Sequence, residues 1–390
     1  MQNPDIVNEV AEAYVRQKKF ATVEWKIEVD GKPFSCGRCV GEGFPEPPAT
    51  PIYRIYSMTK PIVAFAAARQ IENGRLRLYD PVEKFLPQFS NLKVLNSDGT
   101  LESSRGPILV EHLLTHRAGF SYGFNLGCHI GGLYARDRLM GKSNIPLAEF
   151  ASEIASYPLA FHPGTQWRYS LSIDVLAAIL EIATGQTLDR VLNDLVFAPL
   201  AMSDTGFSVP HELNDRIMPV YGEGNLDRLI PLEPAPPRFD EIDLSYSHPS
   251  SPGSAMPRGG HGLFSTTADY ANFARCLIDG SAPSGEQLLS KAMLEFMLAN
   301  RIPPSQLPLR IGVLEFGGYG WNLLGRIMLD PGQSYFLTRA GELGWAGAAS
   351  TFFWADREMS MLGVAMTQYQ GSAFPLGADL MSAAYSSLRG

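Results

Sequence analysis

Strand-like segments gather at the two ends of this chain and helical ones fill its middle, and that distribution most limits how it folds. Near the start, ATVEWKIEVDGKPFSCGRCVGEG reads as two strands around Asp30-Gly31, a dipeptide suited to a tight hairpin turn. Near the end, AASTFFW and MLGVAMT read as further short strands, followed by a helix from Leu376 to Leu388. Between them, VEHLLTHRAG, the segment Pro146 to Ile154 and SIDVLAAILEIATG carry helical spacing, with Gly119 and Gly185 as stops. A sheet built from both ends must close around that insertion. The expected fold is α+β, a sheet flanked by helices. Residues 1–80 and 201–390 are expected to form one domain and 81–200 a helical one, with a cleft between them.

Composition narrows the function. With 390 residues, 45% of them hydrophobic, the chain buries a sizeable core. A net charge of −8 without any basic run argues against nucleic acid or an anionic membrane as a partner. MQNPDIVNEVAEAYVRQKKF lacks the apolar stretch of a signal peptide or anchor, so a cytoplasmic location is expected. The four cysteines are expected to be free thiols. Cys36 and Cys39 form a C-x-x-C inside the predicted hairpin, without a second pair, and read as structural. His112 and His116 stand i, i+4, but Leu113 replaces the Glu of a zinc-protease helix, so no metal site is expected. The segment 208–258, rich in Pro and Ser, is expected to run over the surface.

Two serines compete for the chemistry. GFSYG, residues 119–123, fits G-x-S-x-G, yet that motif works only where a strand feeds a sharp turn with a helix behind it. Here a helix precedes it and FNLGCHIGGL, read as loop, follows, so Ser121 reads as a loop residue. In IYRIYSMTKP a strand gives way to the helix SMTKPIVAFAAARQIENG, which stops at Gly74. Ser57 and Lys60, three apart in its first turn, share one face, and the helix N-terminus favours a developing anion. Pro61 suits an early helix position. Tyr169, in the loop leading into SIDVLAAILEIATG, is a further candidate, because a serine hydroxyl needs a base. Free tyrosine and lysine titrate near ~10 and ~10.4, so keeping either deprotonated at neutral pH costs roughly 4 to 5 kcal/mol unless neighbours offset it. Placing them together offsets it, and either can be the base.

FATVEWKIEVDGK, IYRIYSMTKP, VEHLLTHRAG, HPGTQWRYSLSIDVLAAILEIATG, RGGHGLFSTTADYANFA and GELGWAGAASTFFW occur in the order found in serine hydrolases of the class C β-lactamase fold. The chain most closely resembles the family VIII carboxylesterases over nearly its whole length. The resemblance implies a mostly antiparallel sheet, Ser57 as the acylated nucleophile, Lys60 and Tyr169 as the base pair, and no cofactor. It also implies an oxyanion hole from the N–H groups of Ser57 and Ala348, the latter on a strand. The expected substrate is a small-molecule ester with a short acyl group, with weak β-lactam hydrolysis alongside; a β-lactamase, D-aminopeptidase or acyltransferase on the same scaffold, or a non-catalytic penicillin-binding-like sensor, is the alternative, and the oligomeric state is left open. Two departures from the β-lactamases matter. Leu171 stands where an asparagine would bind an acylamino group. Trp345-Ala346-Gly347 replaces Lys-Thr-Gly and removes a cation, which favours a neutral, apolar ester. Phe120, Tyr122, Leu171, Trp345 and Gly347 are the candidate substrate-binding residues, and Arg258 and His261 either line the cleft or fill a turn.

Overall fold

The structure, a computed structural model, describes residues 3–125, 127–229, 236–253 and 257–388. Its centre is a seven-stranded sheet in which every neighbouring pair is antiparallel. The order is Tyr319–Trp321, Arg326–Met328, Leu343–Ala346, Phe352–Asp356, Met361–Met366, Thr22–Val29 and Lys32–Val40. The N-terminal hairpin therefore docks on the last strand of the C-terminal meander, with Trp25 opposite Ala365 and Ile27 opposite Gly363. Asp30 and Gly31 turn the hairpin with positive φ (51° and 70°), the backbone that tight hairpins require.

Both faces of the sheet are covered, which is why Met361–Met366 is buried along its whole length instead of alternating. Helices Asp5–Arg16 and Leu376–Ser387 pack together on one face around Trp25, Phe352 and Trp354. Helix Thr267–Asp279, capped by the Thr266 side chain on the Asp269 N–H at 3.1 Å, covers the other. That second core continues through Thr59–Glu72 into the helices of the middle segment, chiefly Leu147–Ala155 and Ser172–Thr184.

Several expectations change in detail. VEHLLTHRAG is helical only over Val110–Leu114, and His116 at φ 56° breaks it before Gly119 is reached. Part of FNLGCHIGGL is not loop: His129–Arg136 is a helix. Its two glycines weaken the sequence signal, yet Gly131 is needed where an added Cβ would lie 2.6 Å from the Tyr122 carbonyl oxygen. The strand read in PIYRIY shrinks to Tyr53–Arg54, paired with Phe264–Ser265. Within 208–258, residues 230–235 and 254–256 lie outside the described residues, as do Met1 and Gln2 of the N-terminal segment. No helix among the described residues is long and apolar enough to cross a membrane.

Candidate active site

Ser57 sits on a turn with the strand, bend and helix that GFSYG lacks. Tyr53–Arg54 leads in, a single 3-10 turn spans Tyr56–Met58, and Thr59–Glu72 follows. Tyr56, directly before Ser57, is a buried non-glycine residue at φ 44°, a conformation costing about 1–2 kcal/mol. Packing holds it there: its hydroxyl accepts a hydrogen bond from Gln370, and its ring meets the His248 edge at 5.0 Å. The helix behind is buried almost all round, from Thr59 to Ala68, and Lys60 is 1% exposed.

One helical turn brings Lys60 Nζ to 3.0 Å from Ser57 Oγ, and the same amine donates to the Gly260 carbonyl at 2.7 Å. Burial pulls the amine down to about 7, a fall opposed by Asp174 and assisted by Arg258. Tyr169, 4% exposed, lies with its ring 4.6 Å from Lys60 Nζ, and its hydroxyl is hydrogen-bonded with Ser57. Burial pushes this phenol well above its ordinary value, although the bonds from Ser57 and Trp345 pull the other way. Lys60 is thus the group whose proton is loosely held near neutral pH, while Tyr169 is a neutral phenol.

Trp345 has a part its sequence does not announce: its indole Nε1 donates to Tyr169 Oη at 3.0 Å. The lysine position of Lys-Thr-Gly therefore carries a neutral donor aimed at the tyrosine. Tyr169 is boxed in by the rings of His116 (4.7 Å), Trp345 (5.1 Å), Tyr122 (5.2 Å) and Trp321 (6.1 Å). His116 is held neutral by burial, with Nδ1 against Ser170 Oγ at 3.3 Å; it packs behind the tyrosine, and no group of three or more potential metal ligands occurs among the described residues.

Ser57, Tyr169 and Ala348 open onto one cavity of about 320 Å³ with a mostly apolar wall. Tyr122, Trp345, Gly347 and His261 line it as well. Phe120 and Leu171 do not. Phe120 is buried against the Phe89 ring, and Leu171 is fully buried at the start of Ser172–Thr184, so both are packing residues. Ala348 is not in a strand either: Leu343–Ala346 ends two residues earlier, and Ala348 belongs to the turn before Phe352–Asp356. Arg258 is buried against Asp174 and is not among the lining residues. Ser121 is fully buried, and Asn125 Nδ2 bridges its Oγ (3.2 Å) to the Tyr169 carbonyl (2.8 Å), so it props the tyrosine loop. Further wall residues come from segments with no motif, among them Phe124, Phe374, Leu226 in a 3-10 turn, and Ile311 and Phe316 in the paired strands Leu309–Ile311 and Leu314–Phe316.

Gly347 acts by close approach. A Cβ there would overlap the Ile55 carbonyl oxygen and Thr351 Oγ1, so Gly347→Ala must push the Ala348 turn away from the segment carrying Ser57. Overpacking of this kind costs about 1–3 kcal/mol. A lower Tm together with at least a roughly tenfold drop in kcat is expected from melting curves and steady-state rates.

The β-lactamase family profile matches residues 7–385. Esterase EstB of Burkholderia gladioli is 31% identical over 356 residues, covering 86% of this chain and 82% of the relative. Lovastatin esterase of Penicillium rubens is 28% identical over 357 residues, covering 84% and 81%. Among solved structures, EstCE1, described as a hydrolase with promiscuous acyltransferase activity, superposes with a TM-score of 0.80 at 25% identity and covers 98% of each chain. A family match over nearly the whole length, on an antiparallel sheet with Ser57 in the 3-10 turn that leads into a buried helix and Lys60 in that helix's first turn, makes this chain a member of the β-lactamase family.

Proposed function

We propose that this protein is a family VIII serine carboxylesterase that hydrolyses short-chain carboxylic esters through an acyl-enzyme on Ser57. The observation that carries the reading is the buried Lys60 amine, 3.0 Å from Ser57 Oγ at the wall of an apolar cavity. An amine that titrates near 7 accepts the serine proton at neutral pH far more readily than a phenol pushed above its usual value. Ser57 Oγ attacks the ester carbonyl carbon while its proton passes to Lys60, and the oxyanion faces the N–H groups of Ser57 and Ala348. The ester C–O bond breaks and the alcohol leaves with the proton from Lys60, relayed by the Tyr169 hydroxyl. Water then attacks the acyl-enzyme, releases the acid and returns the proton to Ser57. The cavity lies between a helical lobe, residues 81–200, which supplies Tyr122 and Tyr169, and a lobe from residues 1–80 and 201–390, which supplies Ser57 and Trp345.

Charge on the cavity wall supports an ester over a carboxylate-bearing lactam. Arg326 is the lysine- or arginine-type cation among the described lining residues, and it is committed to Glu342 at 3.0 Å. A substrate carboxylate finds no free cation there, and an uncharged ester needs none. Rates on a short nitrophenyl ester and on a cephalosporin test this: the ester is expected to be clearly faster, with weak lactam turnover, and a faster cephalosporin overturns the assignment. The acyltransferase activity stated for EstCE1 favours a second reading, in which an alcohol replaces water as acceptor. Product partition with added alcohol separates the two. Free cysteines suit the reducing cytoplasm, and a net charge of −8 suits small-molecule partners over nucleic acid or anionic membranes.

Trp345→Phe keeps a ring in the wall and removes only the donor to Tyr169. A hydrogen bond that strengthens as charge develops on the phenol contributes about 1.5–3 kcal/mol, so kcat is expected to fall roughly tenfold or more with KM little changed. A change confined to KM would reduce Trp345 to a wall residue.

A further inference from the structure

Behind Lys60, away from the cavity, lies an ion pair that the reaction does not touch. Asp174 is fully buried and Arg258 is 3% exposed, with Nε and Oδ1 3.0 Å apart. Asp174 comes from the helix Ser172–Thr184 and Arg258 from the loop that runs into Phe264–Ser265. The same Oδ1 accepts the Gly260 N–H at 3.1 Å, and the Gly260 carbonyl is the acceptor that holds Lys60 Nζ at 2.7 Å. One glycine thus connects the carboxylate to the amine, its N–H bound to Asp174 and its carbonyl to Lys60. Arg258 is fixed in turn by the Leu139 and Lys142 carbonyls (3.3 and 2.9 Å) and by the Phe150 ring beneath its guanidinium at 3.9 Å.

A buried ion pair contributes little net stability compared with apolar packing of the same volume, so holding the loop down does not by itself require these charges. Their placement relative to Lys60 does use them. We infer that Asp174 and Arg258 are positioning residues for Lys60: Asp174 fixes Gly260, whose carbonyl aims the amine at Ser57, and the two opposite charges act on the amine from behind. The inference rests on the reading of Ser57 and Lys60 as nucleophile and base.

The other groups facing Lys60 do not supply a competing full charge. Tyr169 and Tyr122, with rings at 4.6 and 5.2 Å, are phenols raised by burial, and burial holds His116 and His261 neutral. Asp174 favours the ammonium and Arg258 disfavours it, both against the larger effect of burial. The acid limb of kcat/KM marks loss of the Lys60 proton. Removing Asp174's charge must therefore move that limb to lower pH, and removing Arg258's charge must move it to higher pH.

The test compares wild type with Asp174→Asn, Arg258→Met and Asp174→Ala on a short nitrophenyl ester across pH, after intact-mass analysis of fluorophosphonate-treated wild type. Opposite displacements of the acid limb by about half a unit or more are expected for the first two variants, on the scale set for nearby charges. Asp174→Ala, which also frees Gly260, is expected to lose about 100-fold in kcat with KM nearly unchanged. An adduct away from Ser57 overturns the underlying reading. An adduct on Ser57 with both limbs unmoved, or moved the same way, overturns this inference alone. If a single variant fails to fold, the double Asp174→Asn/Arg258→Met, which leaves no unpaired buried charge, decides. It is expected to keep Gly260 anchored through Asn, hold kcat within about tenfold and leave the limb near wild type. A limb displaced by about one unit, or loss of kcat altogether, overturns it.

Discussion

Ser57→Ala is expected to lower kcat on a short nitrophenyl ester by a factor on the order of 10⁴ or more, because loss of a serine nucleophile leaves only binding and oxyanion stabilisation. The variant is also expected to gain no mass on treatment with a fluorophosphonate, whereas wild type gains one adduct that maps to Ser57. Ser121→Ala is the informative partner. Ser121 is fully buried and accepts a hydrogen bond from Asn125, so its loss removes a prop beneath Tyr169 and not a reacting atom. It should keep the adduct and lose activity modestly, by less than about tenfold. Retention of full turnover by Ser57→Ala, or an adduct on Ser121, would falsify the assignment.

Lys60→Met is expected to lose about 10³-fold or more in kcat and, at the same time, to raise the melting temperature. The wild-type amine titrates near 7 when folded and at 10.5 when unfolded, so the unfolded chain holds its proton more tightly. At roughly 1.4 kcal/mol per pH unit, that burial costs on the order of several kcal/mol at pH 7 and below. The unmet Gly260 carbonyl in the variant returns only about 1–3 kcal/mol of this, so a net gain remains. From about pH 7 to 10.5 the wild type grows more stable as the folded amine sheds its proton before the unfolded one. Lys60→Met lacks that rise. The stability difference should be largest at pH 7 or below and shrink toward pH 10.5, as denaturant melts at several pH values will show. A gap that does not change with pH would mean that Lys60 is not buried with its proton displaced.

The pattern of legibility follows from how far each interaction reaches along the chain. The Asp30-Gly31 turn, the Ser172–Thr184 helix and the Ser57-x-x-Lys60 spacing are local, and the structure has each of them. The His129–Arg136 helix was hidden because it carries two glycines, of which Gly131 answers to a close contact with the Tyr122 backbone, not to helix propensity. Phe120 and Leu171 illustrate the converse: an apolar side chain beside a catalytic motif has no way to declare whether it faces substrate or core. Trp345 was readable as a lost cation, but its bond to Tyr169 spans 176 residues and depends on how the strand Leu343–Ala346 meets the middle segment.

The sequence by itself determined the α+β class, the elements at both ends that must share a sheet, and the serine and lysine set one helical turn apart, since these rest on periodicity and spacing over a few residues. Only the tertiary structure decided which residues surround that pair. Whether Lys60 is buried enough to surrender its proton, which peptide aims it, and which donor meets Tyr169 all depend on contacts between segments far apart in the chain, where low dielectric and geometry act together. No single segment carries that information.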